Sequence, residues 1–226
     1  MATYGEIVEP LSRTAWEDWD DVTSEDKHNR LECPDQAAVP DIIESLILLE
    51  GKYLYDCMKN EIKNLTLIYT IKEIDLNVYQ NQQSNVCISI LRDYDILRSS
   101  EIVELLKPYI TVSKNVVTIQ TKPLTEYQSL ELTNKNCLIR TICSTKASNL
   151  EINFPKLQQP NFISGVSAGA ICLRDHLDLP GTAVICYTEH PEDYQIEEIQ
   201  TLLKKLKVIS HVNTGPSNVL NSNLYI

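Results

Sequence analysis

Residues 165–169, Gly165-Val166-Ser167-Ala168-Gly169, match the pattern G-x-S-x-G. In α/β hydrolases this pattern builds a strained strand-to-helix turn, whose glycines let a serine hydroxyl stand exposed as a nucleophile. A helical pattern does follow, in "GVSAGAICLRDHL". The order serine, acid, histidine would be filled by Ser167, then Asp175 or Asp178, then His190 or His211. Two features weigh against a triad. The preceding "QQPNFIS" is a poor buried strand, because Gln158, Gln159, Pro160 and Asn161 interrupt the apolar run. Only about sixty residues follow the serine, which leaves little chain to carry an acid and a histidine to the top of a sheet. A helix that starts on small residues produces the same pattern by chance. The expectation is therefore that the protein is not an enzyme, with a small serine hydrolase using Ser167 as the alternative.

No other constellation supplies chemistry. There is no G-x-G-x-x-G and no phosphate-binding loop, and the chain has only six glycines. His28, His176, His190 and His211 are far apart, and the seven cysteines (Cys33, Cys57, Cys87, Cys137, Cys143, Cys172, Cys186) show no C-x-x-C spacing. Zinc sites need paired ligands at short spacing, so neither metal nor cofactor is expected. An odd, dispersed set of cysteines reads as reduced core thiols. A net charge of −11 argues against nucleic acid and against an anionic membrane surface, both of which need a basic face. The start, "MATYGEIVEP", lacks the features of a signal peptide, which places the expected location in the cytoplasm, with the nucleus also open. On that reading the sequon Asn64-Leu65-Thr66 goes unused.

The elements that would position any site alternate in type. "SLILLEG" reads as a buried strand ended by Gly51, and "NLTLIYTI", "NVCISIL", "NVVTIQ", "NCLIRTIC" and "GTAVICYT" as further strands. "SSEIVELLKPY" predicts a short helix with Ser99 or Ser100 as cap and Pro108 as its stop. "GVSAGAICLRDHL" predicts a helix of small residues that packs closely. "PEDYQIEEIQTLLKKLK" predicts a helix with Pro191 in its first turn, lysines in its last, and a core stripe of Ile196, Ile199, Leu203 and Leu206. Alternation of this kind implies a single layered α/β domain, a mixed sheet flanked by helices. Its expected bounds are 41–212.

Both ends differ from this body. Residues 1–40 carry ten acidic side chains against Arg13, Lys27 and Arg30, a net −7. So much charge on so few apolar groups predicts a disordered acidic arm. Within it Trp16 and Trp19 stand out, as a docking segment or as rings folded back on the domain. Residues 213–226, "NTGPSNVLNSNLYI", read as a flexible tail that nevertheless ends on Leu224, Tyr225 and Ile226. Idle termini are ordinarily polar, so an apolar, aromatic, carboxylate-bearing end reads as an anchor.

Residues 157–190, "LQQPNFISGVSAGAICLRDHLDLPGTAVICYTEH", together with the terminal "SNLYI", resemble the proteasome assembly chaperone 1 family. The shared order is a QPN turn, a small-residue helix, "LP" leading into an apolar strand that ends "CYT", a helix, and a tail ending asparagine, aliphatic, tyrosine, one more residue. "YGEIVEP", with Tyr4, also resembles that family's opening segment, whereas "GVSAG" departs from its pattern. The resemblance implies a layered α/β chaperone without catalysis. It implies a heterodimer with proteasome assembly chaperone 2 that binds proteasome α-subunits and promotes closure of the 20S α-ring. It implies that Leu224, Tyr225 and Ile226 enter a pocket between adjacent α-subunits, with the carboxylate paired to a pocket lysine. For the arm bearing Tyr4, Trp16 and Trp19 it suggests a second contact with the ring. A generic adaptor whose C-terminus is read by another carboxylate-binding groove is the remaining alternative.

Overall fold

The apolar run IESLILLE forms strand β1 (Ile43–Glu50), buried along almost its whole length. A strand with both faces apolar belongs at the centre of a sheet covered by helices on both sides. In chain order there follow α1 (Lys52–Met58), β2 (Thr66–Ile71), β3 (Leu76–Asn81), β4 (Val86–Leu91), α2 (Ser99–Val112), β5 (Ser113–Pro123), β6 (Cys137–Cys143), α3 (Gly165–His176), β7 (Gly181–Thr188) and α4 (Asp193–Lys205). The computed structural model describes residues 31, 39–129, 137–146, 152–188 and 193–209, without the side chains of 193–197.

The sheet has seven strands in the order β2-β3-β4-β1-β5-β7-β6. β4, β1, β5 and β7 run parallel, while β2 with β3, β3 with β4, and β6 with β7 are antiparallel. This is the mixed, helix-flanked α/β domain expected. Alternate residues of β1 sort the layers. Leu46 and Leu48 pack with Ile102, Leu106, Tyr109 and Ile110 of α2 and Val166 and Ala170 of α3. Ile47 and Leu49 pack with Leu54 and Met58 of α1 and Ile199, Leu202 and Leu203 of α4. Each such side chain, fully buried, contributes about 1.5–3 kcal/mol. The apolar stripe read on the last helix is thus a core face at Ile199 and Leu203, with Leu206 half-buried against it. The Ile196 side chain and Pro191 lie outside the described residues.

Local readings of α2 need correction. Pro108 does not stop it: the helix continues to Val112. Pro108 is exposed, whereas Tyr109 and Ile110 just beyond it are buried, so core contacts on the inner face outweigh the hydrogen bond that proline removes. Nor does a serine cap it, since no side chain bonds at its N-cap, Arg98. The chain enters instead through a 3-10 turn, Ile96–Arg98, whose second amide is taken by Asp95, with Leu97 N donating to Oδ1 at 3.0 Å. Helix α1 and strand β3 were not foreseen.

Burial makes the inner thiols inert. It pushes Cys87 up to about 11, and Cys57 up to about 12 with the neighbouring Asp56 charge adding to the effect. Burial and Glu198 push Cys137 up to about 12. Cys143 and Cys172 are exposed. At pH 8 a thiol of pKa about 11 is only about 0.1% thiolate. Brief alkylation of the native chain with iodoacetamide should therefore modify Cys143 and Cys172 and spare Cys57, Cys87 and Cys137, as read by peptide mass mapping. Equal labelling of all five would contradict this packing.

Candidate functional site

In a sheet with parallel central strands, binding sites form at the carboxyl ends of those strands. Three residues converge there. Glu50 ends β1, Gln120 stands opposite it on β5, and Tyr94 follows β4. The N-terminus of α3 is laid across them. Gly165, its first residue, has φ +74, and a Cβ there would come within 2.3 Å of the Tyr94 hydroxyl and 2.4 Å of Glu50 Oε1. Only glycine fits so close an approach in that conformation.

The contacts are specific. Ser167 N donates to Glu50 Oε2 at 2.9 Å, and Gln120 Nε2 donates to Glu50 Oε1 at 2.9 Å and to Ser164 O at 3.1 Å. The Tyr94 hydroxyl donates to Glu50 Oε1 and accepts from Val166 N at 3.0 Å. Burial, with the Glu50 charge beside it, raises the Tyr94 hydroxyl well above its ordinary value, so it stays a neutral donor. Free amides at a helix N-terminus attract anions. In this protein two of those amides are already bound, one by the chain's own carboxylate and one by a phenol.

That arrangement does not present Ser167 as an exposed nucleophile. Ser167 lies at the third position of α3 and is 1% exposed, rather than standing on an exposed turn. Its Oγ is buried without a hydrogen-bond partner among the described residues, and its amide donates to Glu50. Asp175 lies at the far end of the helix and accepts from Thr145 N at 2.7 Å. That bond holds its carboxyl below the ordinary range, so the contact is complete at neutral pH and is lost as pH falls through the lowered value. Asp178 pairs with Lys146 at 3.9 Å. His176 is nine residues beyond Ser167, about 13 Å along the helix axis. The structure does not bring Ser167, Asp175 and Asp178 together. His190 and His211 lie outside the described residues, as do Tyr4, Trp16, Trp19, Leu224, Tyr225 and Ile226.

The rest of α3 is positional. A Cβ on Gly169 would meet Val103 Cγ2 at 2.7 Å, so the small-residue face brings α3 close against α2, not only against the sheet. At the other end Arg174, with no exposed surface, sends all its donors to backbone carbonyls. Nε and Nη2 reach Pro180 O at 3.0 and 2.8 Å, Nη1 reaches Ile110 O and Ser113 O at 2.8 Å each, and Nη2 reaches Lys114 O at 2.9 Å. Sequence reasoning missed both Glu50 and Arg174.

Comparison with solved structures defines the class of fold. The chain is similar to Pyrococcus furiosus PbaA, an archaeal homolog of proteasome-assembly chaperone, with a TM-score of 0.57 and 14% identity over 78% of this chain and 82% of that one. It is equally similar to a Thermoplasma acidophilum protein of unknown function, with a TM-score of 0.57 and 11% identity over 76% and 80% of the two chains. Pyrococcus furiosus PbaB, an archaeal proteasome activator, matches with a TM-score of 0.51 and 10% identity over 78% and 89%. No family model and no curated protein sequence matches the chain. The fold is thus one that proteasome-assembly chaperone homologs adopt.

Proposed function

We propose that this protein is a proteasome assembly chaperone of the chaperone 1 family, acting by binding and without catalysis. The observation that carries the reading is the fold likeness to PbaA across most of both chains. The QPN-to-CYT order in residues 157–190 and the ending Leu224-Tyr225-Ile226 support it independently. On this reading the chain pairs with proteasome assembly chaperone 2, in the cytoplasm and nucleus, and sits on the 20S α-ring during its assembly. Leu224 fills an apolar wall between adjacent α-subunits, Tyr225 supplies rigid area and a hydroxyl, and the terminal carboxylate pairs with a lysine. The arm with Tyr4, Trp16 and Trp19 makes a second contact with the ring.

The test is a set of pulldowns with the tag at the N-terminus, so that the carboxylate stays free. Full-length chain should recover α-subunits and the second chaperone. Ending the chain at Asn223 should cut α-subunit recovery at least about tenfold, the size expected for losing a hot spot, while keeping the second chaperone. Deleting residues 1–26 should weaken ring association further. Recovery of no proteasome subunit by the full chain would overturn the proposal, and undiminished recovery after truncation would remove the tail from it.

A further inference from the structure

A groove of about 320 Å³ opens at the carboxyl ends of β5 and β7, its surface including Lys122, Glu126, Pro160, Asn161, Phe162 and Tyr187. Lys122 and Tyr187 are cross-strand partners. One wall is the 3-10 turn Leu124–Glu126, and the other is the loop through residues 160–162. Asn161 fastens the two. Its Oδ1 accepts from Gln128 N at 2.8 Å, and its Nδ2 donates to Gln128 O at 2.7 Å and Gln158 O at 2.9 Å. Tyr187 is buried and braced by the Tyr127 ring, 5.0 Å away, whose hydroxyl accepts from Arg140 Nε at 3.1 Å. The groove is therefore built before any ligand arrives, and preorganisation of this kind lowers the cost of binding.

Its chemistry is uneven. The Lys122 side chain is only 12% exposed, yet among the described residues its ammonium makes only long contacts. It lies 3.6 Å from Glu126 Oε2, 3.5 Å from Phe162 O and 5.4 Å from the Phe162 ring centre. An ammonium has three donors, and none of these contacts is short. Beside it the Phe162 ring is 72% exposed, next to Pro160. A largely desolvated cation and an uncovered aromatic face side by side suit a carboxylate adjacent to an apolar group. Residues 41–226 carry 21 acidic and 17 basic side chains, so a basic segment finds carboxylates in many places, whereas an acidic one finds in Lys122 a cation that water screens little.

We propose that this groove binds an extended acidic segment of a protein partner, one carboxylate completing the Lys122 shell and a neighbouring apolar side chain covering Phe162 and Pro160. Binding here does not require Leu224, Tyr225 and Ile226 to act as an anchor.

The experiment titrates isotope-labelled full-length chain with the peptide acetyl-Gly-Trp-Glu-Asp-Gly-amide, followed by NMR. Saturable shifts should centre on Lys122, Asn161 and Phe162. The neutral peptide acetyl-Gly-Trp-Gln-Asn-Gly-amide should bind at least tenfold more weakly, and Lys122→Gln should cost the acidic peptide a similar factor. Phe162→Ala, at an exposed position that leaves the fold intact, should weaken it several-fold. Equal binding of the two peptides, shifts centred elsewhere, or unchanged affinity in folded Phe162→Ala would each overturn the proposal. So would sodium acetate reproducing the same shifts at the same concentrations, since the groove would then take a carboxylate alone.

Discussion

Replacing Arg174 with methionine is expected to lower stability by about 3–5 kcal/mol, since each buried carbonyl left without its donor costs about 1–3 kcal/mol and some find other partners. The variant keeps an unbranched apolar stem, though a shorter one, and removes the guanidinium donors from four carbonyls, those of Ile110, Ser113, Lys114 and Pro180. Ile110 O belongs to the last turn of α2, where unsatisfied carbonyls carry partial negative charge and a cation is favourable. The same guanidinium fixes the turn into β7 through Pro180, so one side chain ties the end of α2, the end of α3 and the start of a central strand. Burial lowers its pKa, but an arginine begins so high that it remains charged at any working pH. For a chain of this size the loss should appear as a fall of about 10 °C in Tm. Arg174→Lys keeps the charge with fewer donors in a different geometry, and should recover only part of it. Thermal unfolding decides: a methionine variant within about 1 kcal/mol of the parent, or a lysine variant matching the parent, would show that the carbonyls find other donors.

Glu50→Ala should be next in effect, at about 2–4 kcal/mol, because it strips the acceptor from Ser167 N, the Gln120 amide and the Tyr94 hydroxyl at once. It also opens the α3 N-terminus to an external anion. Formate at about 100 mM should therefore raise the Tm of Glu50→Ala more than that of the parent, by mass action on the vacated amides. Glu50→Gln keeps the shape but loses the charge facing the helix end, and should fall between the two. If Glu50→Ala melts with the parent, the carboxylate is not what holds α3 in place.

Much of the architecture was written in residue pattern. Strands such as ILLE and AVICY are runs of apolar, often β-branched residues bounded by glycine or polar steps, and their burial on both faces dictated helices on each side. Strand β3 escaped because LNVYQN is half amide side chains. It is a strand through its ladders with β2 and β4, a property of its neighbours. Helix α1, KYLYDCM, is too short for a period to show. Pro108 misled because local propensity was set against core contacts of Tyr109 and Ile110 that lie in other parts of the chain. The site was less legible still. Glu50 reads as the polar end of a strand and Arg174 as a surface cation in a helix's last turn. Their farthest partners lie 117 and 64 residues away in sequence. The one local signal was the small residues around Gly165 and Gly169, which marked a helix able to pack close to a sheet but did not reveal its approach to α2 and to Glu50.

The position of β1 also bears on how the protein is made. Among the described strands it is the first to be synthesised, yet its neighbours β4 and β5 begin at Val86 and Ser113. The face carrying Ile47, Leu49, Val117 and Val184 receives Ile199, Leu202 and Leu203 only when α4 has been made. Until then a nascent chain carries a greasy, half-roofed sheet, the kind of surface on which unfinished chains stick to one another. A protein whose fold is shared with assembly factors thus passes, during its own translation, through a stage in which it is itself in need of cover.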